Sequence, residues 1–320
     1  MNEEDFKKGI LFGIAGVFLI GLQPIVANAR PASIDSYLFA AMTILIEALL
    51  FFPIMLGERS RLRSKQEQGL IELQEMESLI NGWKKPKNIA LIIYVGLTFA
   101  IAQILFFVGY REAGAINGSL TQKTTVIFGL LFGYLINKEE VRPSQVVFSF
   151  LLLLGLALAI TEGSLNLLEF NVGVLVLLIM AILWMLAHAI TRPIFQREEA
   201  TPIQMVFTRN AIGAAFLLAT YFLFYPPENF QLFFDPINIF FFIAMGVNYG
   251  VGLYCWYKVL AYIGTSKGTA LVSGTPIITA IFATIFLGEL FTIWHFIGLL
   301  IVVISVIMIV RPKIEETPNE

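Results

Sequence analysis

The sequence predicts an all-α integral membrane protein, with ten transmembrane helices arranged as two inverted five-helix repeats. Three observations carry this. Apolar residues make up 58% of the 320 and charged ones only 14%, with a mean hydropathy of +0.80, more apolar surface than an ordinary soluble core can hide. The chain breaks into ten apolar runs, near 9–28, 36–56, 89–110, 115–136, 143–161, 171–191, 202–224, 237–258, 268–287 and 292–310. Each is close to the roughly 20 residues that cross a bilayer as a helix. Finally, the chain repeats itself: residues 114–139 and 264–289 align at a constant shift that sets Gly114 on Gly264, Gly118 on Gly268, Thr125 on Thr275, Phe132 on Phe282 and Glu139 on Glu289. An odd number of spans per unit turns the second unit upside down relative to the first. The expected division is 1–161 for the first repeat, including a connector at 57–88, 162–311 for the second, and 312–320 for a short acidic tail.

Lysine and arginine set the expected orientation. With the N-terminus inside, all of the 21 except Arg30, Arg111, Lys123 and Arg209 fall in cytoplasmic connectors or tails. Only Arg30 and Arg111 lie outside, the asymmetry of the positive-inside rule. Both termini are therefore expected in the cytoplasm, in a bacterial-type cytoplasmic membrane. A net charge of -2 points to no nucleic-acid partner, and the single Cys255 lies in an apolar run, so neither a disulfide framework nor a metal site is expected. No P-loop, zinc motif or dinucleotide fingerprint is present, and no cofactor is expected.

In chain order, the first run follows Lys7 and Lys8 and ends at Ala27-Asn28-Ala29, the outline of a secretory leader. Its acidic head (Glu3, Glu4, Asp5) and an apolar stretch longer than the roughly 7–15 residues of a leader core favour a first span. Gly9, Gly13, Gly16 and Gly21 give it a small-residue face, and Gln23-Pro24 sets a polar side chain beside a kink. The second run carries Glu47. In the 57–88 connector, Leu70, Leu73, Met76 and Ile80 share one helical face, a short amphipathic helix on the inner membrane surface or a solvated linker helix. The third run offers Tyr94, Thr98 and Gln103; the fourth holds Lys123, with Gly129 and Gly133 as a close-packing pair. The sixth carries Trp184 and His188, the latter near the inner end where it can reach water. The seventh holds Arg209, placed to snorkel toward the inner headgroups. The eighth has Asn248 and Tyr249 beside Gly246, Gly250 and Gly252, and a buried asparagine must bond to something.

Glu47, Lys123 and Arg209 fall inside spans, at an insertion cost of roughly 2.5–3.5 kcal/mol each at a helix centre. A dozen strongly apolar residues offset this with about 4–7 kcal/mol, so one charge per span is tolerable if it meets a partner, a cavity or a substrate. Lys123 lies more than two turns from either end and faces either a cavity or Glu47; Glu47 itself serves as ion-pair partner or coupling group. Three charges sharing a cavity would leave one positive in excess, favouring a substrate that bears a carboxylate or phosphate.

These features resemble the ten-helix EamA-like group of the drug/metabolite transporter superfamily over nearly the whole chain. The resemblance rests on the two five-helix halves, Gly288-Glu289-Leu290 after Pro276, its echo Lys138-Glu139, Trp184, and Thr208-Arg209. It implies a secondary-active transporter that exports or exchanges a small metabolite, such as an amino acid, through a central cavity. The cavity candidates it maps to are Gln23, Tyr94, Gln103, Lys123, Asn248 and Tyr249, with Arg209 as a further substrate contact from its charge. The chain departs from the family pattern at Val126, where the second half has Pro276, at Ile20, where a tryptophan is usual, and in its long 57–88 connector. The expected partners are the small-molecule substrate and the lipid bilayer, with a homodimer open.

Three other readings are available. The same fold suits export of cationic drugs. A receptor without transport would have its polar span residues pointing away from any shared space. Gly264-Thr265-Ser266-Lys267-Gly268 fits the G-x-S-x-G nucleophile pattern. An enzyme is not expected, because His295 belongs at the far end of its span, roughly 30 Å from Ser266 at 1.5 Å per residue.

Overall fold

The computed structural model describes residues 3–166, 171–263 and 271–310. Among the described residues every regular element is helical: α1 (Glu3–Ala29), α2 (Ser36–Glu67), α3 (Leu73–Asn81), α4 (Pro86–Ala113), α5 (Ala115–Gln122), α6 (Thr125–Asn137), α7 (Pro143–Ile160), α8 (Val172–Gln196), α9 (Pro202–Phe224), α10 (Pro236–Ile263), α11 (Thr275–Phe286) and α12 (Ile293–Val310). Nine helical segments among them, α5 and α6 counting as one, are long and apolar enough to cross a membrane; α11 is a tenth, shorter apolar helix. The ends follow local chemistry. Asp35, Asn171 and Thr201 cap α2, α8 and α9 by accepting from the backbone N–H of Leu38, Val174 and Gln204. Proline opens α4, α7 and α9, where its missing N–H costs nothing.

Below, the proximal face is the one where α1 begins and the distal face the one where it ends. The packing obeys the exchange of halves. Helix α1 lies on α10 as α8 lies on α4; α4 meets α9 as α10 meets α2; α6 meets α8 as α11 meets α1. The pairs α2–α9 and α7–α12 join equivalent elements of the two halves, and α5 meets α11 across them. Detail repeats as well. A Cβ on Gly96 would sit 3.0 Å from Ile212 and 3.1 Å from the Arg209 carbonyl; one on Gly246 would sit 2.5 Å from Ile46 and 3.3 Å from the Thr43 carbonyl. Thr43 is thus the first-half counterpart of Arg209. Lys138 and Gly288 both hold left-handed backbone, φ 55° and 68°, at the matching turns before Glu139 and Glu289.

The largest buried cluster fills the distal half, where Phe39, Phe106, Phe107, Tyr110, Tyr221 and Phe242 are almost wholly enclosed. The perimeter carries exposed large apolar side chains such as Leu11, Phe150, Leu223 and Ile285, which form the contact with lipid.

Three expectations are revised. The fourth span is not continuous: it breaks at Lys123-Thr124 between α5 and α6. The hydroxyls of Thr121, Thr124 and Thr125 bond back to the carbonyls of Asn117, Thr121 and Gln122, competing with the helical ladder. Helix α2 runs on to Glu67 rather than stopping near 56. Helix α3 forms within the connector, but its buried side chains, Met76 and Ile80, face protein rather than a membrane surface, while Leu70 and Leu73 stay exposed.

That protein is the α8–α9 turn. Glu199 accepts from Lys85 Nζ at 2.7 Å, Asn88 Nδ2 at 2.8 Å and Arg197 Nε at 2.9 Å. Asn88 also receives Arg197 at 3.2 Å, Ser78 donates to the Glu198 carbonyl, and Gln204 donates to the Ile80 carbonyl. A Cβ on Gly82 would lie 2.7 Å from the Glu199 carbonyl oxygen, so only glycine lets the chains approach this closely. The hydrogen bonds from Lys85, Asn88 and Arg197 hold the Glu199 carboxyl down at about 2, well below the usual carboxylate range. The connector of the first half is thereby stapled to the second half on the proximal face.

Candidate functional site

The charged residues expected in the spans fall into two places. The first is a buried polar cluster beneath the distal aromatic cluster. Phe99, Gln103 and Phe106 are spaced to line one face of α4. The Arg209 guanidinium lies 3.8 Å from the Phe99 ring centroid, a cation–π contact, rather than snorkelling: Arg209 is 6% exposed. Phe99 also meets Trp184 and His188 of α8 edge-on, at 6.3 and 5.1 Å between centroids, and Phe106 meets Tyr249 at 5.8 Å. His188 is exposed there. Glu47, 1% exposed, accepts from Asn210 Nδ2 at 2.9 Å through one carboxylate oxygen and rests beside Gly250. Glu47 and Arg209 attract each other. Yet among the described residues no nitrogen–oxygen contact of salt-bridge length joins them.

Six polar atoms on the helices that carry these residues are buried without a hydrogen-bond partner: Glu47 Oε1, Gln103 Nε2, Trp184 Nε1, Arg209 Nε, Asn248 Oδ1 and the Tyr249 hydroxyl. Buried and unpaired, each costs about 1–3 kcal/mol, so the group as a whole calls for something that bonds to it. Gln103, Trp184 and Arg209 offer donors, Glu47 and Asn248 offer acceptors, and Tyr249 offers either. Unpartnered donors and acceptors thus both occur on the helices that carry Glu47 and Arg209 and their neighbours.

The second place is where the break in the fourth span meets the ninth, itself interrupted by a turn at Ser273-Gly274 just before α11. Lys123, 9% exposed, ends α5; its ammonium donates to the Val272 carbonyl at 3.1 Å and to the Thr275 hydroxyl across the interface between halves. It makes no hydrogen bond or ion pair with Glu47 or Arg209 among the described residues. Nearby, Thr279 donates to the Gly21 carbonyl at 2.8 Å, fixing α11 on α1. On the distal face, the Glu289 carboxylate accepts from the backbone N–H of Ala115 at 2.6 Å and Ile116 at 2.9 Å, capping α5 from the other half. His295 Nε2 and Asn117 Oδ1 lie 3.1 Å apart beside it. On the proximal face Glu139, the repeat mate of Glu289, pairs with Arg192.

Of the expected site residues, the structure places Glu47, Arg209 and Tyr249 near one another, with Gln103 buried one turn from Phe99 on α4 and the unpartnered Asn248 next to Tyr249 in the chain. Gln23 is buried with its amide beside Gly252 of α10, and Tyr94 is 48% exposed on α4, outside the group. The Gly264-to-Gly268 stretch lies outside the described residues. Sequence reasoning passed over Phe99, the platform for Arg209, and Asn210, which holds Glu47. Asn210 had a signal: Thr208-Arg209-Asn210 is a polar triplet in an apolar span. Phe99 had none among 29 phenylalanines.

The model of the EamA-like transporter family matches residues 7–161 and 171–311. An uncharacterized transporter of Methanothermobacter thermautotrophicus is 25% identical over 291 residues, covering 89% of this chain and 81% of that protein. The uncharacterized transporter YyaM of Bacillus subtilis is 24% identical over 208 residues, 63% of this chain and 67% of the relative. A solved crystal structure, 15% identical, shares the fold at a TM-score of 0.63 over 94% of this chain and 96% of the other.

Proposed function

The chain belongs to the EamA-like transporter family, and on that footing we propose that it is a secondary-active transporter exporting or exchanging a small carboxylate-bearing zwitterion, of the amino-acid class, past the Glu47–Arg209 cluster. The observation that carries this is the pairing of opposite charges with unpartnered donors and acceptors on the helices that carry them and their neighbours. With Lys123 engaged elsewhere, the cluster's formal charges cancel, which favours a solute carrying both signs over a lone anion or a lone cation. The substrate carboxylate goes to Arg209, Gln103 and Trp184, and its ammonium to Glu47, Asn248 and the Tyr249 hydroxyl. Phe99 and Phe106 flank the apolar part.

Sealed vesicles containing the purified protein test this by uptake of radiolabelled amino acids against two controls, the methyl ester (a cation) and the N-acetyl derivative (an anion). The expected result is uptake of the zwitterion alone. Uptake of lipophilic cations with none of any amino acid overturns it in favour of drug export.

The proximal face, which carries the basic connectors, belongs in the cytoplasm. Cysteines at Ser64 and Asn229 are expected to label from opposite sides, Asn229 from outside. Labelling of both from outside sinks the orientation.

A further inference from the structure

In a regular helix the Val272 carbonyl would accept from the backbone N–H of residue 276, but that residue is Pro276, which has none. A buried carbonyl left in this way needs another donor. It receives one from the opposite half: Lys123 Nζ at 3.1 Å, which also donates to the Thr275 hydroxyl one turn on. The repeat alignment adds meaning to this. Lys123 corresponds to Ser273 and Val126 to Pro276, so the first half supplies an ammonium with no proline, and the second supplies a proline-freed carbonyl with no ammonium. Neutral carbonyl and hydroxyl oxygens at an interrupted membrane helix are the ligand chemistry that holds sodium in transporters whose spans are broken in this way. With no carboxylate bonded to the ammonium, the ligand set suits a single positive charge rather than a divalent ion.

We propose that Lys123 is a tethered cation: its ammonium occupies a monovalent-cation site built by the Val272 carbonyl and the Thr275 hydroxyl, and that site accepts free sodium or ammonium ion when the side chain is removed. The protein as it stands therefore needs no such ion to hold its two broken spans together. The inference goes beyond the transport reading. Its readout is unfolding rather than flux, so it stands or falls apart from the identity of the substrate.

The test compares thermal unfolding in detergent in choline, sodium and ammonium chloride at equal ionic strength. The native protein is expected to unfold at one temperature in all three. Lys123→Ala is expected to unfold earlier in choline and to recover on the order of 2–4 °C in sodium or ammonium. Identical unfolding of Lys123→Ala in the three salts overturns the proposal, as does a specific stabilisation of the native protein by sodium.

Should Lys123→Ala yield no folded protein, Pro276→Ala decides the matter, because it returns an N–H to the position facing the Val272 carbonyl. Lys123→Met is then expected to lower the unfolding temperature by less than half as much in the Pro276→Ala background as alone. Equal losses in both backgrounds overturn the tethered-cation assignment.

Discussion

Arg209→Met is expected to abolish zwitterion uptake, by at least about 100-fold, and to weaken the folded state as well. Removing a charge-assisted hydrogen bond to the substrate weakens binding by about 1.5–3 kcal/mol or more, and a further share follows from leaving Glu47 buried without its opposite charge. Breaking a contacting buried ion pair costs roughly 3–5 kcal/mol. Because Glu47 and Arg209 attract without touching, the stability loss should be smaller, about 2–3 kcal/mol.

The double variant Arg209→Met with Glu47→Gln removes both charges and should recover most of the lost stability, read by thermal unfolding, while uptake stays at background. That split separates a substrate role from a structural one. If Arg209→Met transports the zwitterion within threefold of the native rate, or if the double variant recovers uptake along with stability, the two-charge cluster is not where substrate binds.

The second large effect concerns Glu289. Its carboxylate takes two backbone N–H groups at the start of α5, where the helix dipole is positive, and does so from the other half of the molecule. Hydrogen bonds to a charged acceptor contribute about 1.5–3 kcal/mol each when shielded; Glu289 is partly exposed, so the pair together should count for about 2 kcal/mol. Glu289→Ala is expected to lose that amount and to raise amide hydrogen exchange at Ala115 and Ile116, measured by mass spectrometry. Glu289→Gln, which keeps a neutral acceptor, should lose roughly half. Exchange at those two amides unchanged in the alanine variant would mean that the cap is not held in the membrane.

The fold was legible because its signals are collective. Ten apolar runs and a repeat carrying Gly114, Thr125 and Glu139 onto Gly264, Thr275 and Glu289 survive any single error of assignment. The site was legible only in part. Charge inside a span marked Glu47, Lys123 and Arg209, since a buried ionised group cannot go unanswered, but the answer to each lay on an element far away in sequence. Lys123 was expected to face a substrate cavity or to pair with Glu47; its partners proved to be a carbonyl, which every residue has, and a threonine. Asn210 and Phe99 were missed for the same reason: what makes them matter is a neighbour brought by packing. The break at Lys123-Thr124 had a local cause in Thr121, Thr124 and Thr125, three residues whose hydroxyls compete for helical carbonyls, and was readable in principle.

The meeting of Lys123 with the carbonyl freed by Pro276 bears on the history of the chain. A duplicated gene begins with two interchangeable copies, and either could then pair with itself. Here that exchange is closed. A dimer of first halves would bring two ammonium groups together where no proline frees a carbonyl, and a dimer of second halves would leave the carbonyls facing Pro276 without an ammonium. If Lys123 is a tethered cation, each half carries a feature that the other complements, so a change at Lys123 or Pro276 in one half is felt across the interface by the other.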